Sequence, residues 1–465
     1  MRTAARVTDR FLLAILLAIS LQGVPVSVTA GTPPSFTLTP LLLGNGSSEP
    51  EISIGNDGTM AMVSLQWLFD PTSFGTSLWS GVFGSAPTLD GIVDNTLQHP
   101  GKTVFGAGDA DVDIGSTGRV HITTLIFLVK PINGAQLGVS AITCPSPVAG
   151  RLSVGSCSAQ IIDTTGADRS WITSDGSHAY ISYHDSGNST LIHAQRSDDD
   201  GFTWTRVGDP IVGQGGTTAD ATFNNIQGKL VADPLTHNVY DIYAAGVTGV
   251  LKAHTFTPNH IIVSRSTDMG KSWAANVAFT APAGTSLASI FPALAVDPAN
   301  GNLYAVWSDG RTVSLSSSSD QGSHWSAPLK VSAAPANTAI LPWVAAYNGM
   351  VDVVYYGTSA ASNLDSGASW HVYFAQLAGG AFTQSVVNAT PNHHGVICTG
   401  GTGCGPGTRN LLDLFQIAID PVAGKAAIIY TDDTLTTSSS TRNFACLPAQ
   451  TPPCPLPQAV LAQQN

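Results

Sequence analysis

Apolar residues recur along this chain in short paired runs joined by turns, and the pairs themselves repeat. Leu230-Val231-Ala232 leads through Asp233-Pro234 to Val239-Tyr240, and Leu294-Ala295-Val296 leads through Asp297-Pro298 to Leu303-Tyr304-Ala305-Val306-Trp307. Ile417-Ala418-Ile419 leads through Asp420-Pro421 to Ile428-Ile429-Tyr430, and similar units start at Ile52, Val112, Ile172 and Val344. Runs of four to six apolar residues bounded by turn residues read as strands rather than helices. The seven anchors, at 52, 112, 172, 230, 294, 344 and 417, step by about 61 residues. Self-similarity at a long fixed period, with room for about four strands per unit, predicts the blades of an all-β propeller. Seven four-stranded blades fill the chain from Gly31 onward; six remains the alternative. The strand near Ser35 to Leu43 is expected to complete the last blade against Phe444-Ala445-Cys446.

Three of the units are followed by a second repeat, S-x-D-x-G-x-x-W. The copies run from Ser197 through Asp199 and Gly201 to Trp204, from Ser266 through Asp268 and Gly270 to Trp273, and from Ser318 through Asp320 and Gly322 to Trp325. The Asp can accept hydrogen bonds from its own turn, the Gly supplies a conformation other residues resist, and the Trp offers a large apolar surface to a neighbouring sheet. These turns resemble the Asp-box, or BNR, repeats of the sialidase superfamily, which join the two outer strands, C and D, of propeller blades. A fourth stretch, Asn363 to Trp370, mimics the pattern but precedes the strand Val372-Tyr373-Phe374, so it is read as an insertion loop.

Composition supports the all-β reading: the chain holds 29 Asp but only two Glu, Glu49 and Glu51. Asp is a turn former and Glu a helix former. A net charge of −12 argues against a nucleic-acid partner, which would call for a basic stripe. Residues 1–30 read as a signal peptide, with Arg2, Arg6 and Arg10 before an apolar run too short to span a membrane and Val28-Thr29-Ala30 at the cleavage position. The remainder, 31–465, reads as one secreted domain. Six cysteines suit an oxidising compartment. Fifteen pairings are possible; short loops favour Cys144–Cys157, Cys398–Cys404 and Cys446–Cys454.

Topology selects a face. In an up-and-down blade, the start of inner strand A, the end of strand B and the B–C loop share one rim, and the C–D turns lie at the other. On the first rim the sequence puts Asp109, Asp168-Arg169 and Arg409 through Asp413 ahead of A strands, and His184-Asp185, Asp309-Gly310-Arg311, Asp365 and Asp432-Asp433 in or beside B–C loops. Aspartates and arginines around a central depression suit a polar ligand. Asp109, Asp111 and Asp113 alternate along one strand and are read as solvated, with calcium, which favours carboxylate oxygens, as the alternative. His393-His394 is read as a loop pair, and Asn45, Asn188 and Asn388 stand in glycosylation sequons. No metal or other cofactor is called for.

The sialidase resemblance implies three arginines clamping a substrate carboxylate in bidentate fashion, a Tyr nucleophile activated by a Glu, and an Asp acid/base. On this chain the arginines would be Arg169, Arg311 and Arg409, the nucleophile Tyr430 or Tyr356, and the acid Asp168 or Asp413. The family's F/Y-R-I-P motif is absent, since Ile290-Phe291-Pro292-Ala293 and Ile340-Leu341-Pro342-Trp343 keep the proline without the arginine. Both glutamates lie together at the head of blade 1, which leaves the activating Glu unmatched. The expectation is a glycan- or protein-binding module facing a carbohydrate or cell-surface glycoconjugate, with an exo-α-sialidase-type hydrolase acting on terminal acidic sugars as the alternative.

Overall fold

Seven antiparallel four-stranded sheets, packed side by side in a closed ring, make up the computed structural model of this chain. It describes residues 33–66, 75–129, 135–185, 191–211, 225–246, 257–287, 289–440, 444–446 and 451–465. The signal-peptide reading and Asn188 lie outside the described residues. Residues Pro34–Asn465 form one compact unit. The inner strands are Ser47–Ile54, Thr103–Ile114, Ala167–Asp175, Asn225–Ala232, Ala293–Val296, Thr338–Tyr347 and Gln416–Asp420. Each contains one of the seven anchors. Blade number follows that order.

The ring closes with a strand from each end of the described chain. Phe36–Leu41 forms the outer edge of blade 7 and pairs with Gln458–Gln464, from Phe36 opposite Gln464 to Leu41 opposite Ala459. The partner is therefore not Phe444-Ala445-Cys446, which forms a single 3₁₀ turn. The reason is burial: six of the seven residues of Gln458–Gln464 are buried between neighbouring strands, whereas Cys446 is tethered to Cys454 ahead of that strand. All three expected disulfides are present.

The sequence period becomes a contact between blades. Ile114 N–H donates to Ser53 Oγ at 2.9 Å and Ile172 N–H to Asp111 Oδ2 at 2.8 Å, each across 61 residues. Continuous apolar cores fill the wedges between blades, with Trp171, Tyr240, Tyr355, Trp370 and Phe374 among the fully buried side chains.

The three Trp-ended turns join strands C and D of blades 3, 4 and 5. In the first, Ser197 Oγ accepts from Gly201 N–H at 2.8 Å and donates to Asp199 Oδ1 at 2.8 Å. Asp199 also accepts from Thr203 N–H and Thr203 Oγ1, both at 2.7 Å, and Trp204 Nε1 donates to Gly201 O at 3.0 Å. The Asp268 and Asp320 turns repeat this pattern. These hydrogen bonds hold all three carboxyls below their ordinary pKa. Residues Asn363 to Ala368 fall in the B–C connection of blade 6, while Ser369 and Trp370 open strand C, with Trp370 Nε1 donating to Gly395 O at 2.9 Å.

Candidate functional site

The rim opposite those turns is shaped by a defect repeated in strand A. Pairing register shifts between Ser48 and Glu51, Gly108 and Asp111, Asp168 and Ser170, Gln227 and Leu230, and Ile340 and Trp343. At four of these bulges a non-glycine residue turns left-handed: Glu49 at φ 49°, Asp109 at 39°, Arg169 at 53° and Leu341 at 50°. Leu412, before the blade 7 strand, has φ 55°. Such a conformation costs an L-residue about 1–2 kcal/mol, and bulges re-aim side chains that regular pleating would send elsewhere. Here the effect is to bring side chains of several blades together on the axis.

Blades 7, 1, 2 and 3 supply a polar arc. Arg409 Nη2 forms an ion pair with Asp413 Oδ2, and Asp413 N–H donates to Glu49 Oε1 at 3.2 Å. Glu49 in turn shares a hydrogen bond with Asp109, which lies beside Asp168. Arg169 Nε stands 3.8 Å from Asp168 Oδ2 and close enough to Asp413 to favour its ionised form. Four carboxyls thus face two guanidinium groups. Burial and then the charges of Glu49 and Asp168 push Asp109 well above the usual carboxyl range. Burial and Asp413 raise Glu49; burial also raises Asp413, against the pull of Arg409. Arg409 is held protonated by Asp413, Glu49 and Asp109, which together outweigh its own burial. The two adjacent buried carboxyls of Glu49 and Asp109 oppose each other's ionisation.

One layer deeper, the same strands place Glu51, Asp111, Lys229 and Gln416. Lys229 Nζ reaches Asp111 Oδ2 from blade 4, and Gln416 Nε2 reaches Asp111 Oδ1 from blade 7 at 3.2 Å. Contacts between blades 2, 4 and 7 can meet only on the axis. Glu51 is fully buried and pushed well above its ordinary pKa by burial, with Asp111 next. Asp111 is likewise fully buried. Asp109, Asp111 and Asp113 are therefore not one solvated row: Asp109 sits in the bulge between Gly108 and Asp111, and Asp111 is fully buried.

An aromatic arc faces the polar one. Phe291, Leu341, Pro342, Trp343 and Phe415 line a narrow cleft with Asp413. Trp171 packs against Phe291 at 5.8 Å and Trp343 at 5.3 Å between ring centres. The Arg169 guanidinium sits 5.4 Å from the Phe291 ring centre, joining the two arcs.

Of the residues singled out from sequence, Asp168, Arg169, Arg409 and Asp413 come together here with Asp109. Arg311 does not: it sits exposed in the B–C loop of blade 5 and forms no ion pair among the described residues. Tyr430 and Tyr356 are buried in the core between blades 6 and 7, where burial raises both hydroxyl pKa values. Tyr356 packs at a tilt against Phe415, 4.2 Å between ring centres, and accepts from Thr431 N–H at 3.1 Å. His393 is no loop residue; it pairs with Trp370 as a short strand and bonds Asp433 through Nδ1 at 2.9 Å. Asn410 donates to the same Asp433 oxygen at 2.7 Å. With Cys398–Cys404, this buried network braces the loop that presents Arg409.

Glu49 is the residue that sequence reasoning passed over. It does stand at the head of blade 1, yet the heads of the blades are what the axis gathers. The signal was available: Glu49, Asp109, Arg169, Phe291 and Leu341 each lie three residues before an anchor.

None of the family models and none of the curated proteins compared matches this sequence. Among solved structures, an endosialidase of phage phi92 superposes with a TM-score of 0.47 at 11% identity, covering 93% of this chain and 69% of that one. An α-L-arabinanase of Penicillium chrysogenum gives 0.44 at 11% identity, covering 70% and 93%. An intramolecular trans-sialidase of Ruminococcus gnavus gives 0.37 at 13% identity, covering 83% and 89%. At such low scores and identities the likenesses say nothing of what this chain binds.

Proposed function

We propose that this protein is a secreted propeller of sialidase-like type that binds a carbohydrate at its axial mouth, without the full catalytic set of a sialidase. The observation that carries this reading is the two-sided mouth. Carboxyl and guanidinium groups of Glu49, Asp109, Asp168, Arg169, Arg409 and Asp413 cluster there, and Asp413 and Arg169 adjoin the rings of Phe291, Trp343 and Phe415. A sugar ring is amphipathic in the same way, with hydroxyls at its edge and C–H groups on its faces, and sugar sites combine a few placed polar groups with aromatic walls. Both arginines are already matched by carboxyls, so a free clamp for an acidic sugar is lacking, and a neutral glycan is the better fit.

A second reading, an exo-α-sialidase-type hydrolase, is favoured by one finding: Glu49 lies beside Asp109 and Asp413, supplying a glutamate and a raised carboxyl of the kind general acids need. The test is to assay the purified chain on a fluorogenic sialoside and on a glycan array, with Arg409→Ala and Glu49→Gln alongside. Glycan binding without turnover, weakened by Arg409→Ala, is expected. Turnover abolished by both substitutions would establish the hydrolase instead, and neither binding nor turnover would overturn both readings.

A further inference from the structure

A second concavity lies away from the axis. At the opposite rim, the C–D turn of blade 5 borders a cavity of about 300 Å³, the lower end of the size range of small-molecule sites. Asn302, Tyr304, Ser319, Asp320, His324 and Trp325 are among its lining residues. The three Trp-ended turns share one hydrogen-bonded frame, so the difference must come from what covers each of them. Gln160 of the preceding blade donates to Phe202 O at 3.0 Å on the first turn. On the second, Gly208 N–H donates to Gly270 O at 2.8 Å, and Gly208 O accepts from Trp273 Nε1 at 3.0 Å. On the third, Arg265 and Asn238 of the preceding blade reach only Gln321, among the described residues, at 3.0 and 3.2 Å. Strands D of blades 3 and 4 begin at Thr205 and Ala274, directly after their tryptophans, whereas that of blade 5 begins only at Leu329, four residues past Trp325, and leaves the tryptophan end of the turn open.

The chemistry of the opening differs as well. Where the other turns carry Thr203 and Ser272, this one carries His324, whose Nδ1 lies 2.6 Å from Asp320 Oδ2. The imidazole is 90% exposed. With Nδ1–H donated to the carboxylate, Nε2 is left as an acceptor at the lip. Ser319 is exposed, Trp325 is half-buried, and Tyr304 is buried beside it.

We infer that this cavity is a second sugar-binding site, independent of the axial mouth, in which a neutral hexose ring lies against Trp325 and Tyr304 and exchanges hydrogen bonds with Asn302, Ser319, Asp320 and His324. Aromatic surface for the C–H face and a fan of short polar side chains for the hydroxyls are what such a ring needs. No lysine or arginine is among the lining residues, so an anionic ligand has no counter-charge there.

The test is saturation-transfer NMR on the full chain with methyl glycosides of glucose, galactose and mannose as probes, run on three variants. Ser319→Trp fills the cavity from an exposed position. His324→Thr installs the residue of the first turn, preserving the hydrogen bond to Asp320 and hence the fold. Asp413→Asn alters only the axial mouth. The expectation is transfer from at least one probe that, beyond any share the axial mouth supplies, is lost in Ser319→Trp, falls at least several-fold in His324→Thr and persists in Asp413→Asn; transfer untouched by Ser319→Trp overturns the inference. No transfer from any probe overturns the inference. Transfer lost only in Asp413→Asn also overturns it, by reassigning the signal to the axis while leaving the axial reading intact.

Discussion

Lys229→Met tests the deeper axial layer most sharply. Asp111 is fully buried and its pairing ammonium is 14% exposed, so the substitution strands a carboxylate away from water. Removing one partner of a buried pair costs about 3–5 kcal/mol. Three donors would remain on Asp111: Ile172 N–H at 2.8 Å, Val112 N–H at 2.9 Å and Gln416 Nε2 at 3.2 Å. They place the loss at the low end, about 3 kcal/mol. The loss should depend on pH with a definite sign. Burial raises the folded-state pKa of Asp111, and Lys229 is the leading influence that lowers it. Without Lys229 that pKa climbs further above its unfolded value, so the deficit is full at pH above the folded pKa and vanishes toward acid, where the carboxyl is neutral in both states. Urea unfolding at alkaline and acidic pH reads both effects. Adding Asp111→Asn should recover most of the alkaline loss. A loss under about 1 kcal/mol, or one equal at both pH values, would refute the reasoning.

Other consequences follow from the same geometry. Burial raises Asp241 and Asp352 to about 7; each stabilises the fold below the unfolded carboxyl pKa and loses that contribution as pH climbs through 7, so Asp241→Asn should add up to about 4 kcal/mol at pH 8 and little at pH 4, by denaturation at both. Asp268→Ala removes hydrogen bonds from Ser266 and Ser272 and should cost about 1–2 kcal/mol in unfolding experiments without changing glycan affinity. Asn388 is buried, with Nδ2 donating to Thr390 O at 2.8 Å and Oδ1 accepting from Val372 N–H at 2.7 Å; mass spectrometry after expression in a eukaryotic secretory host should find it unglycosylated.

The blades were legible in sequence because each inner hairpin is an apolar run with a turn at its centre, and neither depends on distant contacts. Pairing across the ends of the ring was not: Gln458–Gln464 begins and ends in glutamines, and only its burial against Phe36–Leu41 makes it a strand. At the mouth, topology alone gathered Asp109, Asp168, Arg169, Arg409 and Asp413 on the right rim. It could not separate them from Arg311, which shares the rim but lies away from the cluster, nor draw Tyr430 out of the core. Glu49 was hidden for a different reason. Strand alternation assumes regular pleating, and the left-handed bulges at Glu49 and Asp109 break it where side chains turn toward the axis.

Calorimetric titration of an array-selected glycan into the wild-type chain, Glu49→Gln and Arg409→Ala tests the axial mouth most directly. Both variants should bind at least about tenfold more weakly, a change of about 1.4 kcal/mol, while remaining folded by circular dichroism at the titration temperature. Unchanged affinity in both would contradict the account.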